Sequence, residues 1–345
     1  MKQILFTFDY ELYLGERSGS VSKCLIEPTK KILDIFGYKK LKLIFFVDTT
    51  YLLRLREIAE DGNRQAENDL EEIKTQLIDI VKQGHYVFPH LHPHWLDAEY
   101  LPHLNQWDLR DVTRYSFKSL SLIDRKKMFQ DSMTFLSELI HSARPEFRIE
   151  GYRAGGWSIQ PICDFLEYFK EYGIKYDFTV VPGIHCRSSA QDFDFRTELV
   201  LPGTYTFNEN VIQPEPGPFR EFTISTIPAP GVYENLKDRV LLKLVPEKLR
   251  ETSGDGLCAV QNTLPEEKEV AATLQHLDVE LATFDTLNMR RAKMYSKLIL
   301  ESNFVQFISH PKMLSRYNFR LMENFLNKIC LDYSVESDYQ KMIFD

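Results

Sequence analysis

The sequence predicts an α/β protein, built as an irregular (β/α) barrel with fewer than eight repeats. Two observations carry that expectation. Short apolar runs alternate with amphipathic helical stretches along most of the chain, a pattern that implies parallel strands joined by right-handed crossovers. Asp9, Asp48, His90, Arg153 and His310 each fall where an apolar run ends. In α/β barrels and sheets the carboxyl ends of the strands build the site. About six such runs are countable, short of the eight of a regular barrel, and the pattern favours a distorted barrel over an open doubly wound sheet.

The elements follow in order. Gln3–Phe8 is rich in Ile and Phe and reads as a buried strand ending at Asp9. Pro28 opens a helix through Phe36, at a first-turn position that tolerates proline. Leu41–Val47 is a second strand, closed by Asp48. Ala66–Lys82 carries Leu70, Ile73, Leu77, Ile80 and Val81 at helical spacing, and Gly84 ends it. His85–Pro89 is a third, short strand. Ser121 opens a long amphipathic helix to His141 through a Ser121–Asp124 capping pattern. Arg148–Tyr152 reads as a strand, and Ser158 as the cap of a helix reaching Tyr172. Tyr176–Val181 is a strand, Thr286–Leu300 a helix, Phe304–Ser309 a strand and Leu314–Leu331 a final helix.

One region breaks the rhythm. Proline recurs from Pro182 to Pro230, which excludes a long helix there. A loop set or small β insertion over about 182–235 is expected, with a shorter irregular stretch at Leu257–Val270. No repeat or linker divides residues 1–345 into separate domains.

Composition narrows the function. The chain has 345 residues, 43% hydrophobic and 27% charged, so a sizeable core is within reach. Its net charge of −8 argues against gripping nucleic acid or an anionic membrane by bulk charge. No apolar run is long enough to span a bilayer. The N-terminal apolar run is broken by Asp9 and Glu11, too early for a signal-peptide core, so a cytoplasmic protein is expected. Five widely spaced cysteines without a Cys-x-x-Cys pair fit reduced thiols rather than a cysteine-built zinc site.

Four segments could carry chemistry. The densest is Gly84–Trp95, where four of the nine histidines fall within ten residues. His90, His92 and His94 share parity on an extended chain. A straight strand would hold His90 and His94 about 13 Å apart, too far for one ion at about 2 Å from each nitrogen. Shared ligation therefore needs a bend, and Pro93 is placed for one. The second segment is Thr7–Glu11, where Asp9 and Glu11 project to one side roughly 6–7 Å apart. One carboxylate could hold a cation while the other takes a proton. The third is Gly151–Trp157, where Arg153 could pin a carboxylate and the paired glycines permit close backbone approach to a ligand. The fourth is Phe304–Pro311, whose His310 is a candidate general acid. Each has a plainer reading, as a solvated strand end, a surface ion pair or a rim histidine.

The order of the four segments is more telling than any one. Strand-Thr-Phe-Asp, then Gly-His-x4-His-x3-His, then strand-Arg-x-Gly, then a late strand-His-Pro, resembles the polysaccharide deacetylases of the NodB-homology family (carbohydrate esterase family 4). The resemblance runs from about residue 3 to 311. It implies one divalent metal, zinc being the usual one, and attack of a metal-bound water on an acetyl carbonyl. It implies His90 and His94 as metal ligands, Asp9 as catalytic base, Arg153 as the residue orienting that base and His310 as the acid that protonates the leaving amine. The chain departs from the family at Tyr10, where a second, metal-binding aspartate is usual. Glu11 can take over ligation, or Asp9 can ligate while Glu11 is the base. The arginine motif lacks its usual prolines, and the family's fourth motif is not placed.

The roles are coherent as chemistry. Amide hydrolysis needs activated water, a polarised carbonyl and a proton for the departing nitrogen. Trp95, Trp157 and Tyr152 flank the motifs and could stack on sugar faces or belong to the core. The reading is a cytoplasmic metal-dependent deacetylase acting on an acetylated sugar or glycan precursor. One alternative is another metal-dependent or metal-independent amidohydrolase, using His90 and His92 as paired ligands in the metal case. The other is a degenerate carbohydrate-binding protein, prompted by Tyr10.

Overall fold

The computed structural model describes residues 1–342 apart from 16, 112, 189, 197–201 and 258–277. The stretch expected to be irregular at Leu257–Val270 lies, past Leu257, outside the described residues. The first seven strands are β1 (Lys2–Tyr10), β2 (Ile44–Asp48), β3 (Tyr86–Leu91), β4 (Glu99–Leu101), β5 (Gln106–Asp108), β6 (Gly151–Ala154) and β7 (Tyr176–Asp177). Then come β8 (His185–Arg187), β9 (Asp192–Asp194), β10 (Thr204–Phe207), β11 (Phe219–Phe222), β12 (Thr226–Pro228), β13 (Val279–Leu281), β14 (Phe304–Ser309) and β15 (Val335–Glu336). The main sheet runs β10-β11-β7-β6-β3-β2-β1-β14, with β15 beside the start of β1. All neighbours from β11 to β14 along this path are parallel, and β10 turns back antiparallel on β11.

The sheet curls toward closure. Ser225 N–H, just beyond β11, donates to Gln306 O on β14 at 3.1 Å, and Ile308 N–H donates to Ala282 O at 3.1 Å. Ala282 N–H in turn donates to Ser225 O at 2.8 Å. The buried Gln306 amide donates to Phe222 O at 3.1 Å. Single hydrogen bonds from short segments thus complete the ring where a regular barrel would have another full strand. The expected distorted barrel is observed.

Helices cover the outside. Glu27–Gly37, Thr49–Glu60, Arg64–Lys82, Leu122–His141, Cys163–Tyr172, Met289–Glu301 and Arg316–Asp332 alternate with the strands. Ser121 Oγ caps the fourth of these as expected, accepting from Asp124 N–H at 3.1 Å. Phe6 and Phe8 on β1 face outward to Phe36 at 5.0 and 6.0 Å between ring centroids. Their neighbours Thr7 and Asp9 therefore face the barrel interior, the period-two consequence of a strand. No described helix is long and apolar enough to cross a membrane.

Several expectations are corrected. The helix Thr49–Glu60 has no counterpart among the expected elements. Asp48 is its N-cap, accepting from Tyr51 N–H at 3.2 Å and from the Trp95 indole N–H. Ser158 caps nothing: its hydroxyl turns back to Gly156 O, and the helix begins only at Cys163, after Pro161. A residue before proline is disfavoured from helical geometry. The strand expected to reach Val181 is regular only over Tyr176–Asp177; beyond it Phe178 N–H still donates to Tyr152 O and Ile224 N–H to Val180 O, while Val180 N–H donates to the Glu221 side chain instead of a ladder carbonyl. The segment at 182–235 is only partly peripheral, since it supplies β10 and β11 to the main sheet.

Replacing Gln306 by alanine should remove the Phe222 O bond and leave a buried gap at the closure. An expected destabilisation of about 2–4 kcal/mol would be read from urea unfolding of the two proteins.

Candidate active site

Parallel register brings the strand ends to one level. Asp9 on β1 lies opposite Phe46 on β2, Asp48 opposite His90 on β3, and His90 opposite Arg153 on β6. The sequence-predicted residues Asp9, Glu11, His90, Arg153 and His310 all meet at this end.

Arg153 is fully buried and makes three side-chain hydrogen bonds. It donates through Nη1 to Asp9 Oδ1 at 2.5 Å, through Nη2 to Thr7 Oγ1 at 2.8 Å and through Nε to Phe178 O at 3.0 Å. Its guanidinium lies 4.0 Å from the Phe46 ring centroid. Burial pushes the Asp9 carboxyl upward, but Arg153, His90 and His310 outweigh it and hold it below its ordinary value. Asp9 is thus a fixed carboxylate whose Oδ2 lies 3.9 Å from His90 Nε2 and 3.8 Å from His310 Nε2.

Glu11 has its two oxygens divided. Oε1 accepts from Lys312 Nζ at 2.8 Å. Oε2 lies 2.8 Å from His92 Nε2 and 3.4 Å from His90 Nε2, yet has no hydrogen bond of ordinary geometry. Burial pushes the Glu11 carboxyl up, while Lys312, His92 and His90 together hold it well below its usual value. Tyr10, between Asp9 and Glu11, points outward and donates to Gln76 Oε1 at 2.9 Å. Position 10 therefore contributes nothing to the site, and Glu11 brings the second carboxylate.

The histidines complete the group. His90 Nδ1 lies 2.9 Å from Arg153 O. A carbonyl only accepts, so that proton belongs to His90, and neutral His90 turns a bare Nε2 inward. His90 Nε2 and His92 Nε2 are 3.0 Å apart. Burial lowers the His90 pKa, but Asp9 and Glu11 outweigh it and raise it above the ordinary value. Glu11, His90 and His92 each offer a ligand atom within 4.8 Å of the others. One carboxylate oxygen and two imidazole nitrogens, buried and facing one another, fit a divalent cation of the zinc type.

The family resemblance implies His94 in that group. Pro93 does begin the expected bend, a 3₁₀ turn over Pro93–Asp97. The bend carries His94 beside the group, with its ring 5.3 Å from His92 and stacked 5.5 Å from Tyr115. Both His94 nitrogens are buried without a hydrogen-bond partner, and burial with the neighbouring His92 pushes its pKa well below normal. His92, whose role was left open, stands in the group. Gly155 makes room for it: a Cβ there would lie 2.2 Å from Leu91 O and 2.9 Å from His92 Nδ1. That glycine serves close packing of the histidine strand.

On the opposite side His310 Nδ1 is 2.7 Å from Asp285 Oδ2, and His310 N–H donates to Asp285 Oδ1 at 2.8 Å. Burial lowers the His310 pKa, while Asp285, Asp9 and Glu11 raise it further, to above the ordinary value. Sequence reasoning missed Asp285 and Lys312. Asp285 has the same signal as Asp9 and Asp48, an acid ending an apolar run (Leu281–Phe284). Lys312 had none, because a lysine two residues after a histidine reads as surface until its partner is known.

No family model matches the chain, and no curated protein does. Solved structures do. A protein described as a polysaccharide deacetylase, from Mycobacterium smegmatis, is 11% identical over 96% of this chain and 85% of its own, with a TM-score of 0.46. The 4-α-glucanotransferase of Thermococcus litoralis is 12% identical over 99% of this chain and 40% of its own, TM-score 0.45. Puue allantoinase is 11% identical over 96% and 85%, TM-score 0.44. A deacetylase structure is thus among the matches. The overlaps are loose, and no chemistry is carried over from those proteins.

The His310–Asp285 pair has a stability signature. With a raised folded pKa, protonated His310 stabilises the fold fully below the ordinary histidine value, and that contribution fades as pH rises through the folded value. Asp285→Asn should therefore cost most stability at acidic pH and least in alkali, as measured by urea unfolding at about pH 6 and 9.

Proposed function

We propose that the protein is a metal-dependent hydrolase that removes an acetyl group from an acetamido sugar or glycan precursor. The observation that supports this reading is the convergence of Glu11, His90 and His92, flanked by an arginine-held carboxylate on one side and an aspartate-held imidazole on the other. Glu11, His90 and His92 would hold one divalent ion, zinc by its nitrogen and oxygen donors. When bound, such an ion acidifies water and polarises a carbonyl as a Lewis acid.

The remaining steps belong to the chain's own groups. Asp9 is the base: Arg153 and Thr7 fix it, and its free Oδ2 faces the reaction space. His310 is the acid. Its Nε2 is 3.8 Å from Asp9 Oδ2 and 3.7 Å from Glu11 Oε1, so it stands across the same space. Asp285 keeps the Nδ1 proton in place and favours the imidazolium form, which delivers Nε2–H to the departing nitrogen. This assignment gives ligation to Glu11 and proton abstraction to Asp9. Glu11 Oε2 faces the Nε2 atoms of both His90 and His92, whereas Asp9 is neutralised by Arg153.

The pairing of His90 with His92 also favours a second reading, an amidohydrolase acting on a small amide. Acetate release from N-acetylated sugars supports the first reading, and ammonia release from small amides the second.

Zinc titration discriminates the histidines. His92→Ala should weaken zinc binding at least tenfold, the scale of a lost or misplaced ligand, while His94→Ala should leave it nearly unchanged. The reverse result would restore His94 as the ligand. His310→Ala should lose turnover by about 10²–10⁴-fold and keep its zinc, read by metal analysis and acetate release. Because the acid form is the active one, the rate should fall as pH rises through the His310 value. Asp285→Asn removes the raising charge, so that alkaline limb should move to lower pH.

A further inference from the structure

A cavity of about 500 Å³ opens beside His310. Glu11, His310 and Lys312 form its polar end, and Leu14, Trp157, Ile184, Leu281, Ile308 and Met313 supply most of its wall. Ile184 and Ile308 are buried, and the other four pack on the core from its margin. Neither Asp9 nor the three clustered histidines line it. It therefore extends away from the cation group, on the side of the proposed acid.

Two features mark this wall as built for an occupant. Trp157 sits in the left-handed backbone region, with φ +56°, directly after Gly156 at φ +56°. An aromatic residue is costly there and persists only where surrounding contacts over-determine it. The conformation sets the indole in the cavity wall, edge-on to Phe193 with ring centroids 6.2 Å apart. Most of the exposed lining surface is also apolar, although Glu280, Thr283, Asp285, Thr286 and Arg291 join Glu11, His310 and Lys312 in it. Glu280 and Arg291 satisfy each other at 2.6 Å, and Asp285 is taken up by His310. A few convergent polar groups in a mostly apolar cavity of about 300–1,000 Å³ is the ordinary form of a small-molecule site. The methyl of an acetyl group would fill only a small part of it.

We propose that the substrate is an amide bearing an apolar group larger than methyl, and that this group lies in the cavity between Trp157 and Leu281. The proposal rests on the C–N hydrolase reading for its scissile bond, but the cavity's selectivity is measurable without turnover. The apolar group can be on the amine side, which keeps acetyl as the group removed, or on the acyl side, where a longer acyl takes the place of acetyl. Both present the same chemistry to the wall.

The experiment titrates the zinc-loaded protein with acetamide, hexanamide and N-hexylacetamide, followed by calorimetry and tryptophan fluorescence. At least one hexyl-bearing amide should bind ten or more times tighter than acetamide, as expected when several methylenes leave water. Preference for hexanamide puts the apolar group on the acyl side, and preference for N-hexylacetamide puts it on the amine side. Leu281→Arg and, independently, Met313→Trp should erase most of that advantage while acetamide binding stays the same. Equal binding of all three amides overturns the proposal, as does an advantage that survives both substitutions. Selective binding with no release of amine, ammonia or carboxylate from any amide would overturn the hydrolase reading and leave this one standing.

Discussion

The Arg153 guanidinium is the interaction on which the rest of this end of the barrel depends. A charge with no solvent access is tolerable only when it is paired and its N–H groups are used. Arg153 meets that condition with groups from several strands at once: Asp9 and Thr7 on β1, the Phe178 carbonyl after β7 and the Phe46 ring on β2. Its own carbonyl accepts from His90 on β3. One residue thereby fixes the proposed base, its neighbour on the same strand and the tautomer of a candidate ligand. Removing it would strand Asp9 as an uncompensated buried charge.

Around that anchor the site separates into two electrostatic halves. On the ligand side, two carboxylates raise the His90 pKa in the absence of a cation. Proton and metal compete for the same bare nitrogen, so the field that holds the proton is also the field that attracts a dication. On the side of the proposed acid, Asp285 holds His310 at Nδ1 and raises its pKa. Lys312 joins the halves by occupying Glu11 Oε1, which leaves Oε2 for the histidines. Such division of labour among groups of one chemical type is how a single cleft runs acid and base chemistry together.

Much of this was legible in residue order. Periodicity placed most of the outer helices and the β14 strand, because burial of one face imposes its period on the sequence. Asp9, Glu11, His90, Arg153 and His310 were each marked by position at the end of an apolar run. The helix at Thr49–Glu60 is not legible because Asp48, an acid ending an apolar run, carries the same signal whether it lines a site or caps a helix. The weakly paired ring closure at Ser225, Ala282 and Gln306 left no pattern to read, since single hydrogen bonds need no hydrophobic period.

The sequence by itself determined that the chain alternates strands and helices and that its polar strand ends would gather on one side. Both follow from local periodicity and from the handedness of parallel crossovers. Only the tertiary structure decided that His92 rather than His94 joins Glu11, that Tyr10 turns outward to Gln76, and that Asp285 and Lys312 belong to the site. Those outcomes depend on where a bend falls and on which distant side chain fills a given hydrogen bond. Residue spacing limits such choices, but packing in three dimensions makes them.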